Sequence, residues 1–283
     1  MEPTIVITGA TSGLGRLAAI TLARRGARVV ITARSQEKAE QVCREIGTDR
    51  VDVFLGDFTR LDDVRRIGRE IADRYERVDV LVNNAGIHAF RSRTTPDGYP
   101  EMIAVNYLAP WLLTHELLAP LRRAPAARIV NVASEASRRH GTLRIPQDLT
   151  ETIPFNARGS SAHYGKTKLL DIMFTTELAR RLAGTTVTAN CVDPGFNTTG
   201  LGRELRFAGT LEKVLVQLGI GDPARGAGLI VALATDPRFA GLSGGYYTVR
   251  GTRRIQPTAP GDDPVLQAQL WRETQQLLLP HLG

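Results

Sequence analysis

Tyr164 and Lys168 lie four residues apart in a segment that reads as a helix from about Ala162 to Leu182, so both side chains fall on one face. A free phenol has a pKa near 10, too high to accept a proton readily at neutral pH; a neighbouring ammonium stabilises the phenolate and lowers that value. Such a pair can act as general acid or base at an alcohol or a carbonyl. The chain holds six Tyr and only four Lys (Lys38, Lys166, Lys168 and Lys213) beside 32 Arg. A Lys four places after some Tyr is therefore expected by chance only about 0.08 times. Arginine would not substitute, because its guanidinium is bulkier and differently shaped. The competing explanation is an ordinary surface pair one helical turn apart.

A second constellation is the run Thr8-Gly9-Ala10-Thr11-Ser12-Gly13-Leu14-Gly15, between an apolar strand pattern and a helical one. Glycines there let the backbone turn tightly and approach a pyrophosphate, whose charge then meets a helix N-terminus. A tight turn without a ligand is the alternative. Sites for NAD place an acid at the end of the second strand, about 20 residues past the glycines. Here that position is Ala33, followed by Arg34 and Ser35. No carboxylate repels a 2′-phosphate and a guanidinium stands beside its place, so the expected cofactor is NADP(H).

The elements that must position these residues alternate along the chain. Strand patterns cover Thr4–Thr8, Arg28–Ala33, Val51–Leu55, Val78–Val82, Arg128–Ala133, Val187–Val192 and Gly245–Val249. Helical patterns lie between them: Leu14–Arg25, Gln36–Ile46 after the N-cap Ser35, a helix opened by Thr59 with Asp62 and running to about Tyr75, and a long helix from about Pro96 to Arg123. This alternation predicts an α/β fold, one doubly wound (Rossmann) parallel sheet of about seven strands with helices on both faces. Residues 1–283 read as a single dinucleotide-binding and catalytic domain. Its exceptions are two long irregular segments near 137–161 and 196–221 and a C-terminal tail, 250–283. Both segments follow the carboxyl ends of strands, where open α/β sheets bind ligands.

The spacing of Gly9, Gly13 and Gly15 resembles the TGxxxGxG pattern of the short-chain dehydrogenase/reductase superfamily, and the resemblance continues at Asn83-Asn84-Ala85-Gly86, Tyr164-x-x-x-Lys168 and Pro194-Gly195. Segments Asn131–Ser134, Tyr164–Arg181 and Asp193–Leu201 look most like its retinol dehydrogenase-type branch. The resemblance implies a catalytic set of Asn106, Ser134, Tyr164 and Lys168. Ser134 would orient the substrate oxygen, Lys168 would also bind the nicotinamide ribose, and Asn106 would hold a relay water on its backbone carbonyl. Pro110 supplies a local reason for the last role: it has no N–H, so the carbonyl four residues earlier loses its helical partner. A plain helix kink explains the proline equally well. The implied cofactor residues are Gly9, Thr11, Ser12, Gly13, Leu14, Gly15, Arg34, Ser35, Asp57, Phe58, Asn84, Ala85, Gly86, Tyr164, Lys168, Pro194, Gly195 and Thr199. Among these, Asp57 resembles an adenine-binding aspartate and Thr199 a carboxamide-holding residue, with Thr198 as the alternative in register.

Composition narrows the remaining classes. The formal charge of +7 invites a nucleic-acid or membrane partner, but no clustered Lys/Arg run or nucleic-acid motif supports one. Two cysteines and five scattered histidines make neither a disulfide framework nor a metal site. No apolar run approaches a membrane span and the N-terminus lacks a basic, apolar leader, so a cytoplasmic protein is expected. The long segments offer Leu143, Ile145, Leu149, Phe155, Phe196, Leu201, Leu205 and Phe207 to an apolar or bulky small-molecule substrate. The rival reading is a non-catalytic NADP(H)-sensing regulator on the same fold. Family members pair through the helices holding Asn106 and Tyr164, which implies a homodimer.

Overall fold

The computed structural model describes residues 2–47, 49–195 and 222–282. Seven strands are parallel: β1 (Thr4–Ile7), β2 (Arg28–Ala33), β3 (Val51–Leu55), β4 (Val80–Asn83), β5 (Ala127–Val132), β6 (Val187–Asp193) and β7 (Tyr246–Thr248). An eighth, β8 (Arg253–Ile255), pairs antiparallel with β7 and closes the order β3-β2-β1-β4-β5-β6-β7-β8. It extends the seven expected strands. Its Arg-Arg-Ile sequence, largely exposed, has no apolar alternation, as suits a short charged edge.

The inner strands are apolar on both sides because both faces are covered. One face carries α1 (Gly13–Arg24), α2 (Gln36–Ile46) and α9 (Pro223–Thr235). The other carries α3 (Leu61–Arg74), α5 (Ala109–Glu116) and α8 (Ser160–Arg181), and over these lies α10 (Pro264–Leu278). The tail therefore packs on the domain: Trp271 lies against Trp111 and Phe174, with ring centroids 5.3 and 5.9 Å apart, and Tyr107 Oη meets Thr274 Oγ1 at 2.6 Å.

Three local expectations are corrected. The helix foreseen from about Pro96 to Arg123 begins instead with α4 (Glu101–Ile103), because Pro96–Tyr99 form a turn closed by the Tyr99 carbonyl and the Thr95 N–H at 2.8 Å. It is π-wound over Ala104–Leu108, where the Ala109 N–H reaches back five residues to Ala104, and it restarts at α6 (Leu118–Arg123). At α3 the N-cap residue is Arg60, and Thr59 plays no capping part: Asp97, distant in sequence, accepts from the Leu61 N–H at 2.7 Å. The segment near 137–161 is less irregular than foreseen. It holds a 3₁₀ turn over Glu135–Arg139 and α7 (Gln147–Thr150), tied to α8 by a buried ion pair of Asp148 with Lys166 at 2.8 Å. Residues 196–221, with Phe196, Thr198, Thr199, Leu201, Leu205 and Phe207, lie outside the described residues.

Candidate active site

The glycine turn is shaped by the strand beside it. A Cβ on Gly9 would stand 2.8 Å from Ala85 Cα, and one on Gly15 would stand 2.3 Å from Asn84 Nδ2 and 2.6 Å from the Gly9 carbonyl. Only a residue without a side chain admits that approach. Thr8 and Asn84 make the tie. Thr8 Oγ1 accepts from the backbone N–H groups of Asn84 and Ala85 at 3.0 and 2.9 Å, while Asn84 Nδ2 donates to the Thr8 carbonyl at 2.9 Å. The resulting cleft, about 370 Å³, runs along the carboxyl ends of β1, β2, β4, β5 and β6. Gly9, Thr11, Ser12, Gly13, Leu14, Arg34, Asp57, Phe58, Asn84, Ala85, Gly86, Pro194 and Gly195 line it, and so do Ser134, Tyr164 and Lys168.

Three other predicted residues, Gly15, Ser35 and Asn106, are not among those lining the cleft, and a fourth is not described. Gly15 underlies the turn. Ser35 caps α2, its Oγ accepting from the Lys38 N–H at 3.3 Å, and does not line the cleft. Thr199 lies outside the described residues. Asn106, in the π-wound segment, uses its amide to hold its neighbours: Oδ1 accepts from the Ile87 N–H at 2.8 Å, and Nδ2 donates to the Ile87 carbonyl at 2.9 Å and to Thr167 Oγ1 at 3.0 Å. Thr167 Oγ1 donates in turn to the Tyr164 carbonyl at 2.8 Å, so Asn106 fixes the helix turn that carries the tyrosine.

Ser134 ends the path of β5, and its Oγ accepts from the Ala136 N–H at 3.1 Å, leaving the hydroxyl proton to be donated. Lys168 Nζ lies 5.9 Å from the centre of the Tyr164 ring and donates to the Val132 carbonyl at 2.8 Å and to Asp171 Oδ2 at 2.9 Å. Burial pushes the Lys168 ammonium down, but Asp171 and then Tyr164 more than offset it and hold it above its ordinary value. The Tyr164 phenol is also raised: burial penalises the phenolate by more than the Lys168 ammonium relieves. The expectation of a tyrosine brought down by its lysine is corrected on this point. The lysine acts in the expected direction, but burial outweighs it, and the nearby Asp171 and Asp193 push the same way as burial.

Residues not foreseen complete the site. His88 stacks on Tyr164, ring centroids 4.6 Å apart and 17° between planes, with its Nε2 3.2 Å from Ser160 Oγ. Asp193, buried at the end of β6, accepts from the N–H groups of Glu135 and Gly195 at 3.0 and 3.2 Å and from Thr248 Oγ1 at 3.0 Å, which joins the segments after β5 and β6 to the end of β7. A lone His four residues past Asn84 carries no spacing signal, and an acid ending a strand reads as a turn residue. Of the apolar residues foreseen as substrate-facing, Leu149 is buried in the core and Leu143 and Ile145 pack against it. Phe155 packs against the cluster of Ala89, Met102 and Tyr164.

The cleft fits a dinucleotide: a glycine cradle at a helix N-terminus leads along the strand ends to a buried Tyr-Lys pair beside a serine hydroxyl. Residues 3–146 match the family model for short chain dehydrogenases. Human retinol dehydrogenase 13 is 32% identical over 286 residues, covering 97% of this chain and 84% of that protein. A crystal structure of an uncharacterised protein from Mycobacterium paratuberculosis superposes with a TM-score of 0.78 at 30% identity, covering 97% of this chain and 92% of that one. A 3-ketoacyl-(acyl-carrier-protein) reductase from Brucella melitensis, solved with NADH, superposes with a TM-score of 0.67 at 25% identity, covering 87% and 96%. With this architecture and these relatives, the chain belongs to the short-chain dehydrogenase/reductase family of oxidoreductases, in its retinol dehydrogenase-like branch.

Proposed function

We propose that the protein is an NADP(H)-dependent enzyme of one catalytic domain that interconverts an alcohol and a ketone or aldehyde on an apolar or bulky substrate. The observation that carries this reading is the continuity of one cleft from the glycine turn to Ser134, Tyr164 and Lys168. The nicotinamide, when bound, supplies or takes the hydride. In the carbonyl-reducing direction the Ser134 hydroxyl donates to the substrate oxygen as charge develops there, and Tyr164 Oη gives that oxygen a proton. In the opposite direction Tyr164 Oη takes the proton back. Lys168 favours the phenolate, and its third N–H would hold the ribose of the bound cofactor; Asn106 keeps the turn around Tyr164 in place. Ile87 and His88 wall the cleft beside Tyr164, which supports an apolar or ring-bearing substrate.

Two expected outcomes test this. Tyr164→Phe lowers kcat for reduction across a panel of bulky ketones and aldehydes by about 10²- to 10⁴-fold, while NADPH binding stays within about threefold. Retained turnover would overturn the assignment, and no turnover by the wild-type chain on any alcohol or carbonyl would favour a sensing role. NADPH is preferred to NADH, because Arg34 is exposed beside Ala33 at the cleft wall with no acid at that strand end. Arg34→Asp narrows or reverses the preference in kcat/KM; equal use of both by the wild type would count against it. Pairing of two copies through the helices holding Asn106 and Tyr164 belongs to the same reading. Because α10 packs on α8, such an interface would include α10.

A further inference from the structure

Lys168 is not held by the cleft alone. Asp171, three residues on and on the same side of α8, takes its ammonium at 2.9 Å, and both side chains are 5% exposed. Asp171 does not itself line the cleft, and its turn of α8 joins a chain in which Asn83, Asn131 and Thr175 link β4, β5 and α8. Asn83 Nδ2 donates to Asn131 Oδ1 at 2.8 Å, Asn131 Nδ2 donates to Thr175 Oγ1 at 2.8 Å, and Thr175 Oγ1 donates to the Asp171 carbonyl at 2.6 Å. The turn of α8 that bears Asp171 is thus locked to two strands. A buried carboxylate is costly unless paired, and a buried ammonium equally so. The pair makes both tolerable, and it fixes where Nζ stands relative to the phenol.

We propose that Asp171 is a positioning residue for the reaction: it anchors the Lys168 ammonium at the floor of the cleft and offsets its charge beside Tyr164. The proposal rests on the reading of Tyr164 as the proton-exchanging group. The other charged or titratable groups around this cluster are His88, stacked on the Tyr164 ring, Tyr107 from the π-wound segment, and Cys191 and Asp193 from β6. Asp193 adds to the same effect on Tyr164 as Asp171 does, while its own oxygens are taken up by Glu135, Gly195 and Thr248. Asp171 is the acid in contact with the lysine itself. Its removal therefore acts twice on the phenol, by deleting a negative charge and by leaving the ammonium unanswered.

The test is the appearance of the Tyr164 phenolate in ultraviolet difference titration, wild type minus Tyr164→Phe, repeated in an Asp171→Asn background. Asparagine keeps an oxygen for Nζ and removes the charge. The Tyr164 titration then falls by about one pH unit or more, and the alkaline limb of carbonyl reduction falls with it. NADPH binding changes by less than about threefold in Asp171→Asn and weakens by about tenfold in Asp171→Leu, which removes the anchor as well. A Tyr164 titration that stays within about 0.3 unit in Asp171→Asn, whatever the loss of rate, overturns the proposal and shows a merely structural acid. If neither variant folds, the wild-type titration decides: onset below about pH 9 would mean that the lysine charge is not being offset. The titration does not depend on turnover. A failure of the catalytic reading, with Tyr164→Phe active, is therefore distinct from a failure here.

Discussion

At single residues the informative contrast is between those known by their type and those known only by their surroundings. Tyr164, Lys168 and the three turn glycines are legible because each needs a particular residue at a short, fixed spacing. Asp171 carries the same kind of spacing to Lys168, yet three apart on a helix it reads as any exposed ion pair worth a few tenths of a kcal/mol. Burial on every side changes its meaning, and burial is not a local property. Gly15 shows the reverse case, where a legible residue has an unforeseen reason. Its glycine is required by the side chain of Asn84 pressing against it, and it does not itself line the cleft. A Gly15→Ala variant forces a shift of the turn against backbone and loses about 1–3 kcal/mol of stability. The upward shift in melting temperature given by NADPH, measured by thermal unfolding, becomes small or vanishes. An undiminished NADPH shift would show that the turn tolerates the methyl group.

At the scale of elements, the strands were legible nearly to the residue because strands buried on both faces read as unbroken β-branched runs between turn signals. Boundaries failed where a distant partner decides them. Asp97 caps α3 from 36 residues away in sequence, and no pattern near Thr59 announces it. The long helix foreseen after Pro96 is interrupted because a turn precedes Glu101 and a π-wound segment holds Asn106, features that neighbouring loops stabilise. The tail is a different case: the amphipathic pattern of 264–279 favours packing on the domain or a partner over a membrane surface, and the structure shows the first. Trp271, Leu270 and Leu278 fill a layer over Trp111 and Phe174, with Arg181 above the Trp271 ring at 4.5 Å. Deleting residues 263–283 uncovers that layer. The shortened chain melts at least about 10 °C lower and self-associates in light scattering, because several kcal/mol of burial are lost and an apolar face is exposed. A monodisperse product with an unchanged melting temperature would mean that the tail contributes little to the core.

Over the whole molecule, the formal charge of +7 is spread along the chain and not gathered into one basic run. Arginines along the surface meet local acids, as Arg16 with Glu45, Arg66 with Asp63 and Glu70, and Arg144 with Asp148 and Glu151. Among the described residues no helix is long and apolar enough to cross a membrane. By itself the amino-acid order determined the doubly wound sheet, the family and the residues that meet at the strand ends, because hydrophobic periodicity and fixed spacings are written locally along the chain. The tertiary structure decided which of those residues face the cleft, that Ser35 caps a helix and Asn106 braces a turn, and that His88 and Asp171 flank the tyrosine and its lysine. It decided as well that burial sets the direction of the phenol's proton affinity. These depend on what surrounds a side chain in three dimensions, and desolvation and charge pairing act through space, between residues that the sequence keeps apart.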